Sequence, residues 1–316
     1  MTLAPPLLVI AGSTATGKTG LAIRTALALR ASGIPAEIIS ADSRQVYRGL
    51  DIATAKATVA ERAGVPHHGL DLVEPDAAFS LADFVDHVDA ALPAITDAGG
   101  LAILVGGTGL YLRAIARGID TAALPSDAVL RARLEAELQA EGLAPLVARL
   151  RALAPLRADQ VDLRNPRRVV RALEIALIDG GRGALPLPRG YGGPLSWLGL
   201  HLDAATQASW IGRRARAQFD AGLIDEARAL RGRFDPGLPA FSAIGYREAW
   251  AVLAGTMTRE AAITEDARRN LAFAKRQRSW FRGEPDVVWH RATDPALDAM
   301  TVAAARRLVE IGAARR

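Results

Sequence analysis

The sequence contains no cysteine. The absence of thiols excludes disulfide bonds, thiolate metal sites and a cysteine nucleophile, and it fits a reducing compartment. There is also no uncharged apolar stretch of the roughly 20 residues needed to span a bilayer. The first six residues carry no basic group ahead of an apolar run, which is not typical of a signal peptide. We therefore expect a cytoplasmic protein that makes no contact with a membrane.

Lysine is scarce as well, so the net charge of +5 and the pI of about 10.0 come almost entirely from arginine. Arginine binds phosphate groups in a bidentate manner and stacks on bases, although a basic balance alone is weak evidence for nucleic acid. The chain has 316 residues, of which 50% are hydrophobic. This length and composition predict a sizeable core and either two domains or one domain that carries a large insertion.

The most specific motif is a complete G-x-x-x-x-G-K-[ST] loop between an apolar run at 7–11 and a helical pattern at 20–29. In a strand–loop–helix, successive backbone N–H groups cradle a diphosphate. The lysine adds positive charge to the phosphate oxygens, and the hydroxyl of Thr19 can ligate Mg²⁺. The sequence therefore predicts a site for a di- or triphosphate formed by Gly12, Ser13, Thr14, Ala15, Thr16, Gly17, Lys18 and Thr19.

Apolar runs at 7–11, 36–40 and 101–105 alternate with helical patterns in the first third of the chain. This alternation indicates a parallel sheet covered by helices on both faces. The pattern then becomes helical until a returning strand near residue 197. We predict an α/β fold with a P-loop NTPase-like core, formed by residues 1–118 and 197–316, and an inserted all-helical domain at 119–196.

Two further segments follow predicted strands and are expected at the same sheet edge as the phosphate loop. Asp42 ends the second strand, where a carboxylate can act as a general base or hold Mg²⁺ through water. The glycines of Gly106–Gly109 allow close backbone approach to a ligand, and the hydroxyl of Thr108 can bond a base or a phosphate. A simple Asp-Ser turn and a tight glycine turn are the structural alternatives.

Four arginines, Arg164, Arg167, Arg168 and Arg171, have the spacing of a single helix face. A basic face at a helix N-terminus opposes the helix dipole, so a polyanion would relieve it; a solvated face is the alternative. The segment 268–282 adds basic and aromatic residues without an intervening acid, which is typical of a nucleic-acid surface, although its aromatic residues are equally suited to a core.

Three other arginines, Arg213, Arg214 and Arg216, fall on a later helix and any of them could clamp a phosphate. Their spacing does not distinguish among them. The adjacent His67 and His68 have no partners at metal-ligand spacing, so we interpret them as loop or core residues.

Seven segments of the chain, taken in order, resemble the bacterial tRNA dimethylallyltransferases, also called the IPP transferase family. The ordered combination is highly specific, whereas the phosphate loop alone is not, and the likeness runs from about residue 7 to about residue 285. The segments are Gly12–Thr19, Ile39–Lys56, Val65–His68, Val105–Tyr111, Arg171–Glu174, Ala243–Glu248 and Ala274–Gln277.

The resemblance implies transfer of a dimethylallyl group from dimethylallyl diphosphate to N6 of adenine 37, giving N6-isopentenyladenosine in tRNAs that read codons starting with U. The loop would then hold the diphosphate of the donor in place of ATP, with Mg²⁺ as the cofactor and Thr19 as its ligand. By the same likeness Asp42 is the general base, and Thr14 and Arg214 are catalytic residues that contact the diphosphate. A monomer without a stable protein partner is expected.

The resemblance also implies that the inserted domain at 119–196 grips the anticodon stem. The residues expected to contact tRNA are Asp42, Ser43, Arg44, Gln45, Thr108, Arg131, Arg167, Arg168, Val169, Val170, Arg171, Ser242, Ala243, Ile244, Gly245, Tyr246 and Arg247.

Two other functions compete with prenyl transfer. A small-molecule or nucleoside kinase would use the same loop for ATP, which is the commonest occupant of such loops. A non-catalytic, GTPase-like RNA-binding adaptor is disfavoured because no guanine-reading Asn-Lys-x-Asp segment is present. The other ordered motifs and the basic helical insertion favour the transferase over the kinase.

Overall fold

The computed structural model describes residues 4–121, 124–181, 184–185 and 187–315. The chain folds into two compact units. The first consists of Met1–Arg117 together with Gly190–Arg316, and the second consists of Gly118–Arg189. The second unit thus begins one residue before the insertion expected from the sequence and ends at Arg189, ahead of the expected residue 196.

The first unit contains a six-stranded sheet in which every paired neighbour is parallel. The strands are β1 (Leu7–Gly12), β2 (Ala36–Ala41), β3 (His67–His68), β4 (Leu101–Gly106), β5 (Leu195–His201) and β6 (Val287–Arg291). Their order in the sheet is β3-β2-β4-β1-β5-β6.

Helices cover both faces of this sheet because the central strands are apolar on both sides. In β1, Leu7 and Val9 point into one hydrophobic cluster while Leu8 and Ile10 point into another, and all four are fully buried. The helices of this unit are α1 (Lys18–Ala31), α2 (Val59–Arg62), α3 (Leu81–Asp97), α4 (Gly109–Arg117), α9 (Ala204–Asp220), α10 (Leu223–Arg231), α11 (Tyr246–Leu253), α12 (Arg259–Phe281) and α13 (Leu297–Ala314), with a 3-10 turn at Pro239–Ser242.

Helices are the regular secondary structure among the described residues of the second unit, and the unit has a core of its own. Leu134, Leu150, Val169 and Leu173 are fully buried in it. Its helices are α5 (Ala128–Glu141), α6 (Leu143–Leu153), α7 (Pro155–Gln160) and α8 (Pro166–Asp179). The predicted fold class, a parallel α/β core with an inserted all-helical domain, is therefore confirmed.

Two expectations about local structure need correction. His67 and His68, interpreted as loop or core, form β3 and pair with Ile38 and Ile39 of β2. Arg164 does not share a helix face with the later arginines, since α8 begins only at Pro166. Among the described residues, no helix is both long and apolar enough to cross a membrane.

Candidate active site

The segments that follow β1, β2 and β4 meet around a cavity of about 250 Å³. The phosphate loop lines it through residues 14–20, and Asp42, Gly106 and Gly107 contribute from the neighbouring strand ends. Arg214 of α9 adds a positive charge to the lining. The sheet topology thus brings together segments that are far apart in the sequence, as expected for a parallel sheet.

The backbone of the phosphate loop is shaped for an anion. Gly12 has a φ of 151°, and a Cβ there would lie 2.7 Å from the carbonyl oxygen of Leu200, so only glycine fits. The backbone of α1 makes its first hydrogen bond from Leu21 N to Gly17 O at 3.1 Å. The N–H groups of residues 18–20 therefore have no acceptor within the helix, and they add to the positive end of its dipole.

The amino group of Lys18 lies at the cavity and forms no ion pair among the described residues. Its Nζ donates to the carbonyl oxygen of Ser13 at 2.7 Å. Burial and the neighbouring Arg214 lower the pKa of Lys18 to about 7, while Asp42 raises it. An anion in the cavity would favour the protonated form of the lysine, so the group is suited to binding phosphate.

Of the three arginines considered on α9, only Arg214 lines the cavity. Arg213 is exposed, and Arg216 pairs with Glu260 at 2.8 Å on the surface. Arg214 donates from Nη2 to Oδ1 of Asn270 at 2.9 Å. The structure thus identifies Arg214 as the arginine at the cavity, which the spacing of the three residues could not do.

Asn270 connects Arg214 to a buried carboxylate that sequence reasoning missed. Its Nδ2 donates to Oδ1 of Asp266 at 2.8 Å, and Asp266 is only 1% exposed. Oδ2 of Asp266 has no hydrogen-bond partner among the described residues. Burial, followed by the charge of Glu248, raises the pKa of Asp266 to about 6, against the opposing effects of Asn270 and Arg214.

Asp42 lies at the cavity in a local turn. Its Oδ1 accepts a hydrogen bond from Arg44 N at 2.8 Å. The next residue, Ser43, donates its N–H to Oγ1 of Thr108 at 3.1 Å, and Thr108 N donates to Ala41 O at 3.2 Å. The ends of β2 and β4 are therefore tied together beside the carboxylate.

The side chains of Arg44 and Gln45 form hydrogen bonds with other parts of the chain. Arg44 donates from Nη1 to the carbonyl oxygen of Pro239 at 2.8 Å. Gln45 accepts from the hydroxyl of Ser40 at 2.8 Å and donates to the carbonyl oxygen of Thr54 at 3.0 Å, while also lining the cavity. These two predicted tRNA contacts thus have intramolecular partners in the absence of RNA.

Two buried glutamines hydrogen-bond to the start of the phosphate loop. Neither was assigned a role from the sequence, although Gln277 ends one of the seven segments that resemble the family. Gln277 accepts from Thr14 N at 2.7 Å and donates to Gly107 O at 2.9 Å. Gln207 donates to the hydroxyl of Ser13 at 2.7 Å and to Thr14 O at 3.0 Å. A sequence signal did exist on α12, because Asp266, Asn270 and Gln277 recur at helical spacing among apolar residues that face the core.

The predicted tRNA segment at 242–247 is largely buried. Tyr246 is fully buried and donates its hydroxyl proton to Oε1 of Glu226 at 2.6 Å. Ile244 is half-buried, and the exposed members of the segment are Ser242 and Arg247. The members with buried side chains are Ala243, Gly245 and Tyr246.

In the second unit, two of the predicted tRNA-binding arginines surround a fully buried carboxylate. Glu174 accepts from Arg131 at 2.9 Å and 3.0 Å, and Arg171 lies 2.8 Å from it. The N–H of Asp127 adds a bond of 2.8 Å. Burial raises the pKa of Glu174, but these contacts outweigh burial and leave the pKa below its ordinary value.

The remaining residues predicted on α8 divide into exposed and buried pairs. Arg167 and Arg168 are exposed, and within the described part of the chain their side chains have neither a hydrogen bond nor an ion pair. Val169 and Val170 lie in the core of the second unit, so neither presents its side chain to a ligand. The basic surface of α8 is therefore smaller than the spacing of its arginines suggested.

The cavity also has donors suited to a magnesium ion. Thr19 and Asp42 both line it, contributing a hydroxyl and a carboxylate. The described residues contain no group of three His, Cys, Asp or Glu side chains that could enclose a metal by themselves. Mg²⁺ typically binds through one or two carboxylates together with substrate phosphates and water, so the set present fits that ion when a diphosphate is bound.

Comparison with known proteins gives a consistent result. The family model described as IPP transferase matches residues 45–284. A tRNA dimethylallyltransferase of Anaeromyxobacter sp. (strain K) is 46% identical over 288 residues, covering 90% of this chain and 92% of that protein. One from Symbiobacterium thermophilum is 41% identical over 293 residues, covering 92% and 90%.

Solved structures show the same similarity. The full-length tRNA isopentenylpyrophosphate transferase of Bacillus halodurans superimposes with a TM-score of 0.70 at 36% identity, covering 98% of each chain. A eukaryotic dimethylallyltransferase crystallised while acting on tRNA gives a TM-score of 0.73 at 24% identity, a likeness of fold, covering 92% of this chain and 75% of that one.

Proposed function

The chain belongs to the IPP transferase family, and we propose that it transfers a dimethylallyl group from dimethylallyl diphosphate to tRNA. The family resemblance found in the sequence is thereby confirmed. The observation that carries the proposed reaction is the cavity, which combines an anion cradle with Asp42 and Arg214.

The proposed target is N6 of adenine 37, beside the anticodon, in tRNAs that read codons starting with U. The product is N6-isopentenyladenosine. An adenine must leave its stack to enter an enclosed site, and bases in a single-stranded loop do so at small energetic cost. The proposal places this reaction in the cytoplasm, with the protein acting as a monomer.

In the proposed reaction the N6 amine forms a bond to the allylic carbon while the bond from that carbon to the diphosphate breaks. The departing diphosphate is stabilised by Lys18, Arg214 and the backbone N–H groups of the loop, which are arranged before the reaction begins. The hydroxyl of Thr14, at the cavity wall, contacts the same group. Mg²⁺, bound by Thr19 and the diphosphate, would supply further positive charge.

Asp42 has the role of general base in this scheme. The exocyclic amine of adenine is a poor nucleophile, because its lone pair is conjugated with the purine ring. Asp42 accepts the proton that N6 loses as the new bond forms, and it is held for this by the N–H of Arg44. General bases of this kind typically contribute about 10²–10⁴-fold to the rate.

We propose that the second unit binds the anticodon stem. Arg167 and Arg168 are exposed and have no ion-pair partner among the described residues, so their charges are suited to phosphate contacts. Arg131 and Arg171 are engaged with Glu174, so they contribute chiefly by holding the surface of this unit in shape.

The role of Asp42 is tested by Asp42→Asn, with Asp76→Asn at an exposed carboxylate outside the cavity as the matched control. Single-turnover prenyl transfer to tRNA should fall about 10²–10⁴-fold in the first variant and not in the second. The affinity for tRNA, measured in parallel, should stay nearly the same. Full activity of Asp42→Asn, or transfer to a tRNA that carries guanosine at position 37, would refute these assignments.

A further inference from the structure

One end of the phosphate cradle is closed by the side chain of Gln277. This residue of α12 is 6% exposed and lines the cavity. Its carboxamide oxygen accepts a hydrogen bond from Thr14 N at 2.7 Å, and its carboxamide nitrogen donates one to Gly107 O at 2.9 Å. A Cβ placed on Gly107 would lie only 2.3 Å from Nε2 of Gln277, so the carboxamide is pressed against that backbone.

The position of Lys18 indicates which end of the cradle is closed. In phosphate loops the lysine reaches the outer phosphates of the bound chain, while the backbone N–H groups surround the inner ones. Here Nζ of Lys18 lies 2.7 Å from the carbonyl oxygen of Ser13, beside Thr14. The terminal phosphate therefore belongs at the end of the loop where the carboxamide of Gln277 lies.

A third phosphate would meet two obstacles at that end. The N–H of Thr14, which would otherwise donate to it, is already bonded to Oε1 of Gln277. That oxygen is itself a hydrogen-bond acceptor, and an acceptor facing a phosphate oxygen is repulsive. The amides that remain, those of residues 15–19, are enough for a diphosphate.

We infer that Gln277 is a specificity-determining residue that restricts the loop to diphosphates and excludes triphosphates, nucleoside triphosphates among them. This inference rests on the proposed function only in naming dimethylallyl diphosphate as the occupant. It gives a structural reason why a motif usually occupied by ATP serves a different donor.

Gln207 provides a matched control within the same loop. It is 1% exposed and bonds to the carbonyl oxygen of Thr14 and the hydroxyl of Ser13. It does not line the cavity. Its loss should loosen the loop for every phosphate ligand, whereas the loss of Gln277 should also change the preference among them.

The test compares the affinities for inorganic diphosphate and inorganic triphosphate by titration calorimetry at one fixed Mg²⁺ concentration. The wild-type protein should prefer diphosphate. Gln277→Ala frees the N–H of Thr14 to donate to a phosphate, so it should shift the ratio of affinities toward triphosphate by about tenfold or more. A hydrogen bond to a charged group typically contributes that much. Gln277→Glu keeps an acceptor at Thr14 and adds negative charge, so it should shift the ratio in the opposite direction.

Gln207→Ala should lower both affinities and leave their ratio unchanged. The inference is overturned if the wild type prefers triphosphate, if Gln277→Ala leaves the ratio unchanged, or if Gln207→Ala moves the ratio as far as Gln277→Ala does. The readout is binding of inorganic anions, so these outcomes are independent of prenyl transfer. Failure of the proposed function would appear separately, as wild-type protein that does not modify tRNA with dimethylallyl diphosphate.

Discussion

Both units bury carboxylates in the neighbourhood of arginine. Glu174 of the helical unit and Asp266 of the α/β unit differ in how well they are satisfied. Glu174 of the helical unit is fully buried and accepts from two arginines and a backbone N–H. Asp266 of the α/β unit is also buried, but it is bonded through Oδ1 to Asn270 and leaves Oδ2 without a partner among the described residues. Their pKa values are shifted in opposite directions as a result.

This difference separates a carboxylate that stabilises a fold from one that serves a site. A fully paired buried charge offsets its desolvation, whereas an underpaired one costs stability. Asp266 is bonded to Asn270, which in turn holds Arg214 at the cavity. The underpaired carboxylate therefore lowers stability at the place where the site needs a positioned positive charge. The same substitution, carboxylate to amide, should therefore give opposite results at the two positions.

The largest effect is expected at Glu174. Glu174→Gln leaves Arg131 and Arg171 partly buried without a counter-charge, so the free energy of unfolding at pH 7 should fall by about 3–5 kcal/mol. The lowered pKa of Glu174 means that its stabilisation is present above its unfolded pKa and is lost as the pH falls through the folded value. Urea denaturation at several pH values measures this, and a variant as stable as wild type at pH 7 would show that the pairing is not stabilising.

A smaller effect of opposite sign is expected at Asp266. Its pKa of about 6 in the folded protein exceeds the ordinary 3.8, so wild-type stability falls as the pH rises between these values. Asp266→Asn should therefore be more stable than wild type at pH 8, by about 3 kcal/mol, and equal to it near pH 3.

Prenyl transfer by Asp266→Asn should nevertheless slow down, because Arg214 loses a supporting charge. The loss should be smaller than the roughly 10²–10³-fold cost of removing an electrostatic donor from an active site. If Asp266→Asn is less stable than wild type at pH 8, or transfers the prenyl group at an unchanged rate, then Asp266 stabilises the fold as Glu174 does and does not serve the site.

The smallest effect concerns the arginines that Glu174 does not engage. Replacing Arg167 and Arg168 with alanine removes two exposed charges, so the slope of log affinity for tRNA against log salt should flatten by about 1–2. Alanine at Arg133 and Arg149, two arginines of the same unit that pair with Glu137, is the control with equal loss of charge. Equal changes in both double variants would mean that the attraction is general to this unit.

The fold was predictable wherever a strand is an apolar run between turns. Leu7–Gly12 and Leu101–Gly106 each extend one residue beyond the apolar run that predicted them, since such strands are buried on both faces. His67–His68 was missed because two polar residues carry no periodicity. Helix α13, Leu297–Ala314, was also missed, since it follows a weak last strand without any motif.

The residues of the candidate site were predictable only where they belong to a local sequence motif. The phosphate loop and Asp42 each sit directly after a strand, so their convergence follows from the topology. Gln277 and Asn270 act through contacts that span 263 and 56 residues of sequence, to Thr14 and Arg214 respectively. Such contacts depend on how α12 packs against the loop and α9, which no local pattern specifies.

We propose that the cradle holds a prenyl diphosphate and that the acceptor is tRNA. The most direct test is the mass of an unmodified tRNA after incubation with the protein and Mg²⁺, with dimethylallyl diphosphate or ATP as the donor. We expect the gain of one five-carbon prenyl unit on adenosine 37 with the first donor and no change with the second. An unmodified tRNA with the prenyl donor, together with turnover of ATP, would contradict it.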